Sequence, residues 1–312
     1  MGRRAGSPSE PGPDPRSAMS RSKGRRRKPK RVQAEPHRAR RQRGGRIAVF
    51  GATSLGLAVC GWMLWSNLSS LPQNRGLEFL QLKVLRTFPH DRQAFTQGLV
   101  WQGGKLYEST GQYGSSSLRR LDPQTGRVEQ RLNLGSRYFG EGLALQSGRL
   151  IQLTWHAQTA FIYGLERLEP TGQVRYDGEG WGLCWDGQRF IMSDGSSLLT
   201  FREPHNFNQT GRLQVTLRGR PLERLNELEF ARGSVYANVW QEDFIVRIDP
   251  ASGRVSGHID ASGLLPPSQA PAADVLNGIA YNPQSDTFYL TGKYWPHMFE
   301  VRFVADNSRA QD

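Results

Sequence analysis

The chain repeats one short segment five times, as Thr96-Gln97-Gly98-Leu99, Gly140-Glu141-Gly142-Leu143, Gly180-Trp181-Gly182-Leu183, Leu225-Asn226-Glu227-Leu228 and Leu276-Asn277-Gly278-Ile279. The third residues of successive segments are 44, 40, 45 and 51 positions apart, which is the period of four-stranded propeller blades. Between the segments, runs of alternating apolar residues are separated by turns rich in Gly, Pro, Asp and Ser, without a sustained helical period. The sequence therefore predicts an all-β domain over residues 77–304, folded as a five-bladed β-propeller.

The two ends of this domain complement each other. The fifth repeat ends near Phe303 with three strands instead of four, and residues 79–87 form an alternating run ahead of the first repeat. We expect residues 79–87 to supply the missing outer strand and close the ring. Closure would also hide the sheet edges that an open array exposes.

The repeat places two rings of residues at one mouth of the central channel, because the first strand of a blade lines the channel and the second runs back antiparallel. The first ring is the residue before each third position: Gln97, Glu141, Trp181, Asn226 and Asn277. The second ring lies thirteen residues after the third position, with a two-residue correction for a longer turn in the last repeat: Gly111, Trp155, Gly195, Trp240 and Lys293.

The ring residues differ from blade to blade, whereas repeats built for packing alone would carry similar apolar residues at equivalent positions. Three indoles beside a carboxylate, an ammonium and three amides are typical of a pocket with apolar walls and a few convergent polar groups. An oppositely charged pair in such a pocket also shifts proton affinities. The alternative is that the polar residues only hydrogen-bond one another and hold water in the channel.

Charge is unevenly distributed along the 312 residues, whose formal net charge is +13. Residues 1–46 hold 16 basic and three acidic residues and account for the whole of it. This segment has almost no large apolar side chains, which predicts a disordered basic tail in the cytoplasm; it could bind RNA or anionic lipid. Residues 47–312 carry no net charge, so we expect no nucleic-acid binding by the folded domain.

Residues 47–65 contain no charged side chain, and as a helix they would rise about 28 Å, close to the thickness of a bilayer core. They predict one transmembrane helix, a signal anchor in contact with membrane lipid, followed by a linker at 66–76. The basic tail places the propeller on the periplasmic or extracytoplasmic side. A cleaved signal peptide, which would release a secreted protein, is the alternative. Residues 305–312 are expected to form a C-terminal tail.

Ten motifs spread over all five repeats carry a resemblance to a known family. They are Phe95-Thr96-Gln97-Gly98, Tyr107-Glu108-Ser109-Thr110-Gly111, Ser117-Leu118-Arg119, Phe139-Gly140-Glu141-Gly142-Leu143, Gln152-Leu153-Thr154-Trp155, Gly180-Trp181-Gly182-Leu183, Leu225-Asn226-Glu227-Leu228, Ala237-Asn238-Val239-Trp240, Val275-Leu276-Asn277-Gly278-Ile279-Ala280 and Thr291-Gly292-Lys293-Tyr294-Trp295-Pro296. Over residues 79–303 the chain resembles the plant and bacterial type of glutaminyl-peptide cyclotransferase, a five-bladed propeller unrelated to the zinc-dependent animal enzyme.

The resemblance implies cyclisation of an N-terminal Gln to pyroglutamate with release of ammonia, on peptides and proteins that begin with Gln. It implies functional roles at eight residues: Phe95, Gln97, Glu141, Trp155, Trp181, Asn226, Trp240 and Lys293. We expect Glu141, Asn226 and Lys293 to be catalytic, with Glu141 carrying the proton from the α-amine to the leaving nitrogen. Phe95, Gln97 and the three tryptophans are expected to bind substrate, together with Asn277 from the first ring.

No cofactor or metal is expected for this reaction. The six histidines, at 37, 90, 156, 205, 258 and 297, have no metal-ligand spacing, and only two cysteines, Cys60 and Cys184, are present. Two other functions remain open at this point. A propeller that binds peptides without catalysis would keep the tryptophans but would not need Glu141 and Lys293 together. A metal-dependent propeller lactonase or hydrolase would need acidic and amide ligands converging on the axis.

Overall fold

The computed structural model describes residues 76–266, 268, 272–306 and 308. Within this part of the chain the regular elements are twenty-two β-strands, β1 to β22. No helix among the described residues is long and apolar enough to cross a membrane. The predicted tail at 1–46, the predicted span at 47–65 and the linker as far as residue 75 lie outside the described residues.

Four antiparallel four-stranded sheets follow one another along the chain, and the fourth continues into the fifth as one eight-stranded sheet. The first sheet contains β2 (Thr96–Gln102), β3 (Lys105–Thr110), β4 (Ser117–Leu121) and β5 (Val128–Asn133). The second contains β6 (Gly140–Gln146), β7 (Arg149–Thr154), β8 (Thr159–Gly164) and β9 (Pro170–Arg175). The third contains β10 (Leu183–Trp185), β11 (Phe190–Met192), β12 (Leu198–Arg202) and β13 (Gln209–Gln214). After a small hairpin of β14 (Thr216–Leu217) and β15 (Arg220–Pro221), the fourth contains β16 (Leu225–Ala231), β17 (Ser234–Val239), β18 (Phe244–Ile248) and β19 (Val255–Asp260).

The fifth sheet is built from both ends of the domain, as the sequence predicts. It contains β20 (Leu276–Asn282), β21 (Thr287–Gly292), β22 (His297–Ala305) and, as its outer strand, β1 (Glu78–Pro89). Antiparallel pairing of β1 with β22 runs from Leu80 opposite Ala305 to Pro89 opposite His297. The sequence did not indicate that β1 also pairs in parallel with β19, which joins the fourth and fifth sheets at their outer edges.

The innermost strands of the five sheets form a closed ring, in which β2 contacts β6, β6 contacts β10, β10 contacts β16, β16 contacts β20 and β20 contacts β2. This is a propeller-like arrangement. The last residue of each repeated segment is almost fully buried between neighbouring sheets: Leu99, Leu143, Leu183, Leu228 and Ile279. The outer strands β9 and β13 are largely exposed, so the apolar core lies between the sheets and close to the axis.

The third position of the repeated segment is the point where neighbouring inner strands come closest. A Cβ atom on Gly98 would lie 2.5 Å from the backbone nitrogen of Leu143, and one on Gly142 would lie 2.6 Å from that of Leu183. The fourth segment carries Glu227 there instead. Its carboxylate accepts backbone hydrogen bonds from Leu99 at 3.2 Å and Ile279 at 2.9 Å, and so ties the fourth inner strand to the first and fifth.

Candidate active site

A β-bulge at the start of four inner strands aims the first-ring side chains. The strand register shifts between Thr96 and Gly98, between Gly140 and Leu143, between Leu225 and Leu228, and between Leu276 and Ile279. A bulge leaves an extra residue without a cross-strand partner and redirects its side chain. The redirected positions include Gln97, Glu141, Asn226 and Asn277.

One cavity of about 540 Å³ opens at this end of the inner strands. Eight of the nine residues predicted to form the site line it: Phe95, Gln97, Glu141, Trp155, Trp181, Asn226, Trp240 and Lys293. Five residues outside the predicted set also line it: Gln112, Phe139, Gln241, Asp274 and Val275. Seven of the ten ring residues and all eight residues implied by the resemblance therefore line one cavity.

Asn277 is the predicted residue that does not line the cavity. It is fully buried, and its Nδ2 donates hydrogen bonds to the Thr96 carbonyl at 2.9 Å and to Gln97 Oε1 at 3.1 Å. It therefore stands behind Gln97. The second-ring glycines have a different role: a Cβ on Gly111 would collide with the ring of Phe139, and a Cβ on Gly195 would lie 2.7 Å from the Trp181 indole. These glycines leave space for the aromatic walls.

Glu141 and Lys293 are the central charged pair of the cavity and are only 4% and 5% exposed. Burial raises the pKa of Glu141 well above its usual value, while the charge of Lys293 and a hydrogen bond from Gln97 act in the opposite direction and the charge of Glu179 adds to the rise. Burial lowers the pKa of Lys293, against the charges of Glu141 and Asp274. A carboxyl group whose pKa is raised holds a proton more firmly than an ordinary carboxylate, so it is suited to accept and return one.

Aromatic rings form the walls around this pair. The Lys293 Nζ lies 4.6 Å from the ring centroid of Phe95. Phe139 packs edge-on against Phe95 at 5.9 Å and at an angle of 63° to Trp155 at 5.6 Å. On the other side, Trp181 and Trp240 meet edge to face with their centroids 5.7 Å apart.

A carboxylate outside the predicted set connects two of these walls. Glu179 Oε2 accepts hydrogen bonds from Trp155 Nε1 at 2.7 Å and from Trp181 Nε1 at 3.0 Å. Its other oxygen lies 3.5 Å from His156 Nδ1, and the His156 ring stacks on Trp155 at 3.8 Å. Desolvation opposes ionisation of Glu179, but the indole hydrogen bonds and His156 lower its pKa below the usual value.

The same repeat alignment contains the signal that would have found most of the missed residues. The position two before each first-ring residue holds Phe95, Phe139, Glu179, Arg224 and Val275. The position after each second-ring residue holds Gln112, His156, Ser196, Gln241 and Tyr294. Three members of the first set and two of the second line the cavity, while Glu179, His156 and Tyr294 contact residues that line it.

Among the described residues, no group of three or more His, Cys, Asp or Glu side chains is arranged to hold a metal ion. The polar groups that converge on the cavity are one carboxylate–ammonium pair, Asp274 and several amides. Such a set can move a proton and can donate hydrogen bonds to a carbonyl oxygen that gains negative charge.

Comparison with known proteins agrees with this chemistry. The sequence model of the glutamine cyclotransferase family matches residues 57–303. A glutaminyl-peptide cyclotransferase of Arabidopsis thaliana is 40% identical over 251 residues, which are 79% of this chain and 78% of the relative. The crystal structure of Myxococcus xanthus glutaminyl cyclase superimposes with a TM-score of 0.69 at 41% identity, over 74% of this chain and 100% of that chain.

Proposed function

This chain belongs to the glutamine cyclotransferase family, and we propose that it cyclises the N-terminal Gln of peptides and proteins in the cavity around Glu141 and Lys293. Glutaminyl cyclase activity follows from the family and from its relatives. In this reaction the neutral α-amine attacks the side-chain amide carbon of the same residue. A new carbon–nitrogen bond closes the lactam, the old bond to the amide nitrogen breaks, and ammonia leaves.

The observation that carries the proposal is a buried carboxyl group of raised pKa beside a buried ammonium group. The attacking nitrogen must lose one proton, and the leaving nitrogen must gain one. Glu141 can do both in sequence, first as general base and then as general acid, so the reaction needs no other proton donor. The proton balance closes within the site.

Lys293 and Asn226 line the same cavity and supply hydrogen-bond donors. As the amine attacks, the amide oxygen of the substrate gains negative charge. We assign Lys293 and Asn226 to this oxygen, because donors fixed in advance stabilise developing charge at little cost of reorganisation. Trp155, Trp181 and Trp240 surround the folded side chain of the substrate, and their apolar faces strengthen these electrostatic contacts by displacing water.

The charges at the cavity favour binding of the positively charged N-terminus of a peptide. Among the described residues that line it, the charged groups are Glu141, Asp274 and Lys293, and the ionised Glu179 lies behind two of the indoles. Acidic groups outnumber the single ammonium, so a substrate that arrives as an α-ammonium ion is attracted. It gives this first proton to solvent before the attack, because Glu141 must be ionised to accept the second proton, which the amine loses as the ring closes.

The direct test is incubation of the protein with a peptide that begins with Gln, while ammonia release and the corresponding loss of peptide mass are followed. We expect turnover by the wild type and none by Glu141→Gln, which keeps the shape of the side chain but cannot carry the proton. The exposed Glu223 provides a matched control, Glu223→Gln, which should keep full activity. Full turnover by a folded Glu141→Gln protein would contradict the assignment of Glu141.

We also propose that residues 47–65 anchor the protein in a membrane and hold the catalytic domain on the extracytoplasmic side. The charge asymmetry of the sequence supports this orientation. Proteins exported across that membrane expose new N-termini after signal cleavage, so an anchored cyclase would meet its substrates there. Protease added to sealed vesicles of known orientation should digest the catalytic domain only from the extracytoplasmic side. Digestion only from the cytoplasmic side, or recovery of a soluble protein without residues 1–65, would contradict it.

A further inference from the structure

We propose that Glu179 is a positioning residue of this enzyme, which fixes the Trp155 and Trp181 indoles with one carboxylate oxygen and thereby sets the shape of the substrate cavity. The catalytic effect of this arrangement rests on the proposed function, but the contact of Glu179 with the two indoles does not. The two tryptophans belong to neighbouring sheets: Trp155 follows β7 of the second, and Trp181 precedes β10 of the third. Glu179 therefore connects the cavity walls across a junction between sheets.

The hydrogen bonds define the orientation of both rings. Each indole has one donor, Nε1, and both donors point to Glu179 Oε2, at 2.7 and 3.0 Å. An ionised acceptor makes such bonds shorter and stronger than a neutral one. Against the effect of desolvation, the indole hydrogen bonds and His156 hold the pKa of Glu179 below its usual value, so the group is a carboxylate at neutral pH.

Neighbouring contacts restrict the two indole rings, so that their orientation depends on the hydrogen bonds to Glu179 Oε2. Trp181 has the Gly195 backbone on one side, where not even a Cβ would fit, and the Trp240 ring on another. His156 stacks on Trp155 and lies 3.5 Å from the second oxygen of Glu179. Rotation of either indole away from Glu179 would break a charged hydrogen bond and disturb the packing behind it. The carboxylate thus selects one arrangement of the walls.

Glu179 also acts on Glu141 through its charge. The charged and titratable groups that face Glu141 are Lys293, Glu179 and Tyr176, and Gln97 adds a hydrogen bond. A negative charge disfavours a second one nearby, so Glu179 contributes to holding the proton on Glu141. Removal of that charge should make Glu141 more acidic, which is a consequence that a purely structural residue would not have.

The test compares Glu179→Ala and Glu179→Gln with the wild type. Glu179→Ala removes the acceptor, and we expect a rise in KM for a Gln-initiated peptide of roughly tenfold, with a red shift in tryptophan emission. Glu179→Gln keeps an acceptor oxygen without the charge. Its KM and its tryptophan emission should be close to those of the wild type, while the acid limb of the plot of kcat/KM against pH moves to lower pH. The exposed Glu166 gives the control Glu166→Ala, which should change none of these.

A folded Glu179→Ala protein whose KM and emission match those of Glu166→Ala would overturn the proposal. If the alanine variant does not fold, Glu179→Asp decides, since its shorter side chain keeps the charge but cannot reach both indoles. Wild-type KM and emission in Glu179→Asp would then overturn it. The emission measurement needs no turnover. A wild type without cyclase activity would therefore contradict the proposed function and leave the test of the Glu179 contact standing.

Discussion

Asn277 fixes the orientation of the Gln97 side chain, because its Nδ2 donates to Gln97 Oε1 at 3.1 Å from a fully buried position. With its oxygen occupied in this way, the Gln97 amide presents its nitrogen as the donor in the hydrogen bond to Glu141. A chain of two amides thus connects the fifth inner strand to the carboxyl group in the second sheet. Asn277 acts on the site without touching the cavity.

Replacement of Asn277 by Ala should therefore change the chemistry of Glu141. Gln97 would be free to turn, and the hydrogen bond that lowers the pKa of Glu141 would be lost in part. We expect kcat to fall roughly tenfold, with the acid limb of kcat/KM against pH moved to higher pH. Gln97→Ala removes the hydrogen bond altogether and should give a shift in the same direction that is at least as large, and the double variant should not exceed the shift of Gln97→Ala. An unchanged pH profile in a folded Asn277→Ala protein would show that Gln97 keeps its orientation without Asn277.

The charge of Lys293 should also affect the dependence of kcat/KM on pH. Lys293 lowers the pKa of Glu141 against the effect of burial, so Lys293→Met should raise that pKa further. The general base is active when ionised, and activity should then appear only at higher pH than in the wild type. Lys293→Arg, which keeps the charge, should retain the wild-type position of the limb. Equal positions of the limb in the Met and Arg variants would show that the two groups are not coupled.

Asn226 is assigned to the oxygen that gains charge during attack. Loss of one such donor costs about 10²-fold or more in kcat, and we expect Asn226→Ala to behave in this way, with a smaller change in KM. Lys293→Ala should show a loss of similar size. Asn208, which is exposed and away from the cavity, gives the control Asn208→Ala. A loss below about threefold in kcat would assign Asn226 to the channel structure instead.

The spacing of the repeated segments was enough to predict the five sheets and the closure of the ring, because each sheet buries the same positions of its inner strand. Leu99 and its four equivalents are buried for that reason. The contribution of residues 79–87 followed from counting strands, and β1 confirms it. The parallel contact of β1 with β19 had no such signal, since it depends on the spatial distance between two outer edges.

Site residues whose positions follow the repeat could be predicted from the sequence. Residues whose roles depend on particular hydrogen bonds were harder to predict. The β-bulges that turn Gln97 and Glu141 toward the axis are a matter of strand register, which the side-chain pattern does not reveal. Asn277 was expected to contact substrate because it shares their position, but its hydrogen bonds place it behind Gln97. The repeat alignment contains the position of Glu179, but its role depends on two indole donors that meet at one oxygen, and no sequence pattern indicates this.

A buried ion pair between His90, which follows β1 of the fifth sheet, and Glu108 in β3 of the first sheet should make stability depend on pH. His90 Nε2 lies 2.8 Å from Glu108 Oε1, and its Nδ1 lies 2.9 Å from the Trp295 carbonyl, so both ring nitrogens face acceptors. Burial lowers the pKa of His90, but Glu108 and the carbonyl overcome this and raise it above 6.5. The pKa of Glu108 falls below 4.5, because His90 and Arg119 outweigh the effect of burial.

The opposite pKa shifts of His90 and Glu108 define a pH range in which this pair contributes most to stability. The contribution of His90 is complete below its ordinary pKa of 6.5 and is lost as pH rises through the raised value. That of Glu108 is complete above 4.5 and is lost as pH falls through the lowered value. The difference in Tm between the wild type and His90→Gln should be largest between these values, because Glu227 and Glu229, whose pKa values burial raises, add the same pH dependence to both proteins. His90→Gln should lower the free energy of unfolding there by about 3 to 5 kcal/mol and make the decline at higher pH shallower. The exposed His205 gives the control His205→Gln. An unchanged decline in His90→Gln would assign it to another group.

Gln112 combines an unfavourable backbone with a side chain in the cavity. Its φ is 95°, and its carbonyl accepts hydrogen bonds from Ser115 N at 3.1 Å and from Ser116 N at 2.8 Å, which hold the turn in this conformation. Gly adopts positive φ without the cost that other residues incur there, so Gln112→Gly should raise the free energy of unfolding by about 0.5 to 1 kcal/mol. It should also lower kcat/KM, because the amide that lines the cavity is lost.

Gln158 provides the matched comparison for this last variant. It has a φ of 51° and an exposed side chain and does not line the cavity. Gln158→Gly should therefore gain stability without a change in kcat/KM, as measured by chemical denaturation and by ammonia release from a Gln-initiated peptide. A gain in stability with loss of activity only at Gln112 would show that the strained turn serves the substrate. Equal kcat/KM in the two variants would reduce Gln112 to a turn residue.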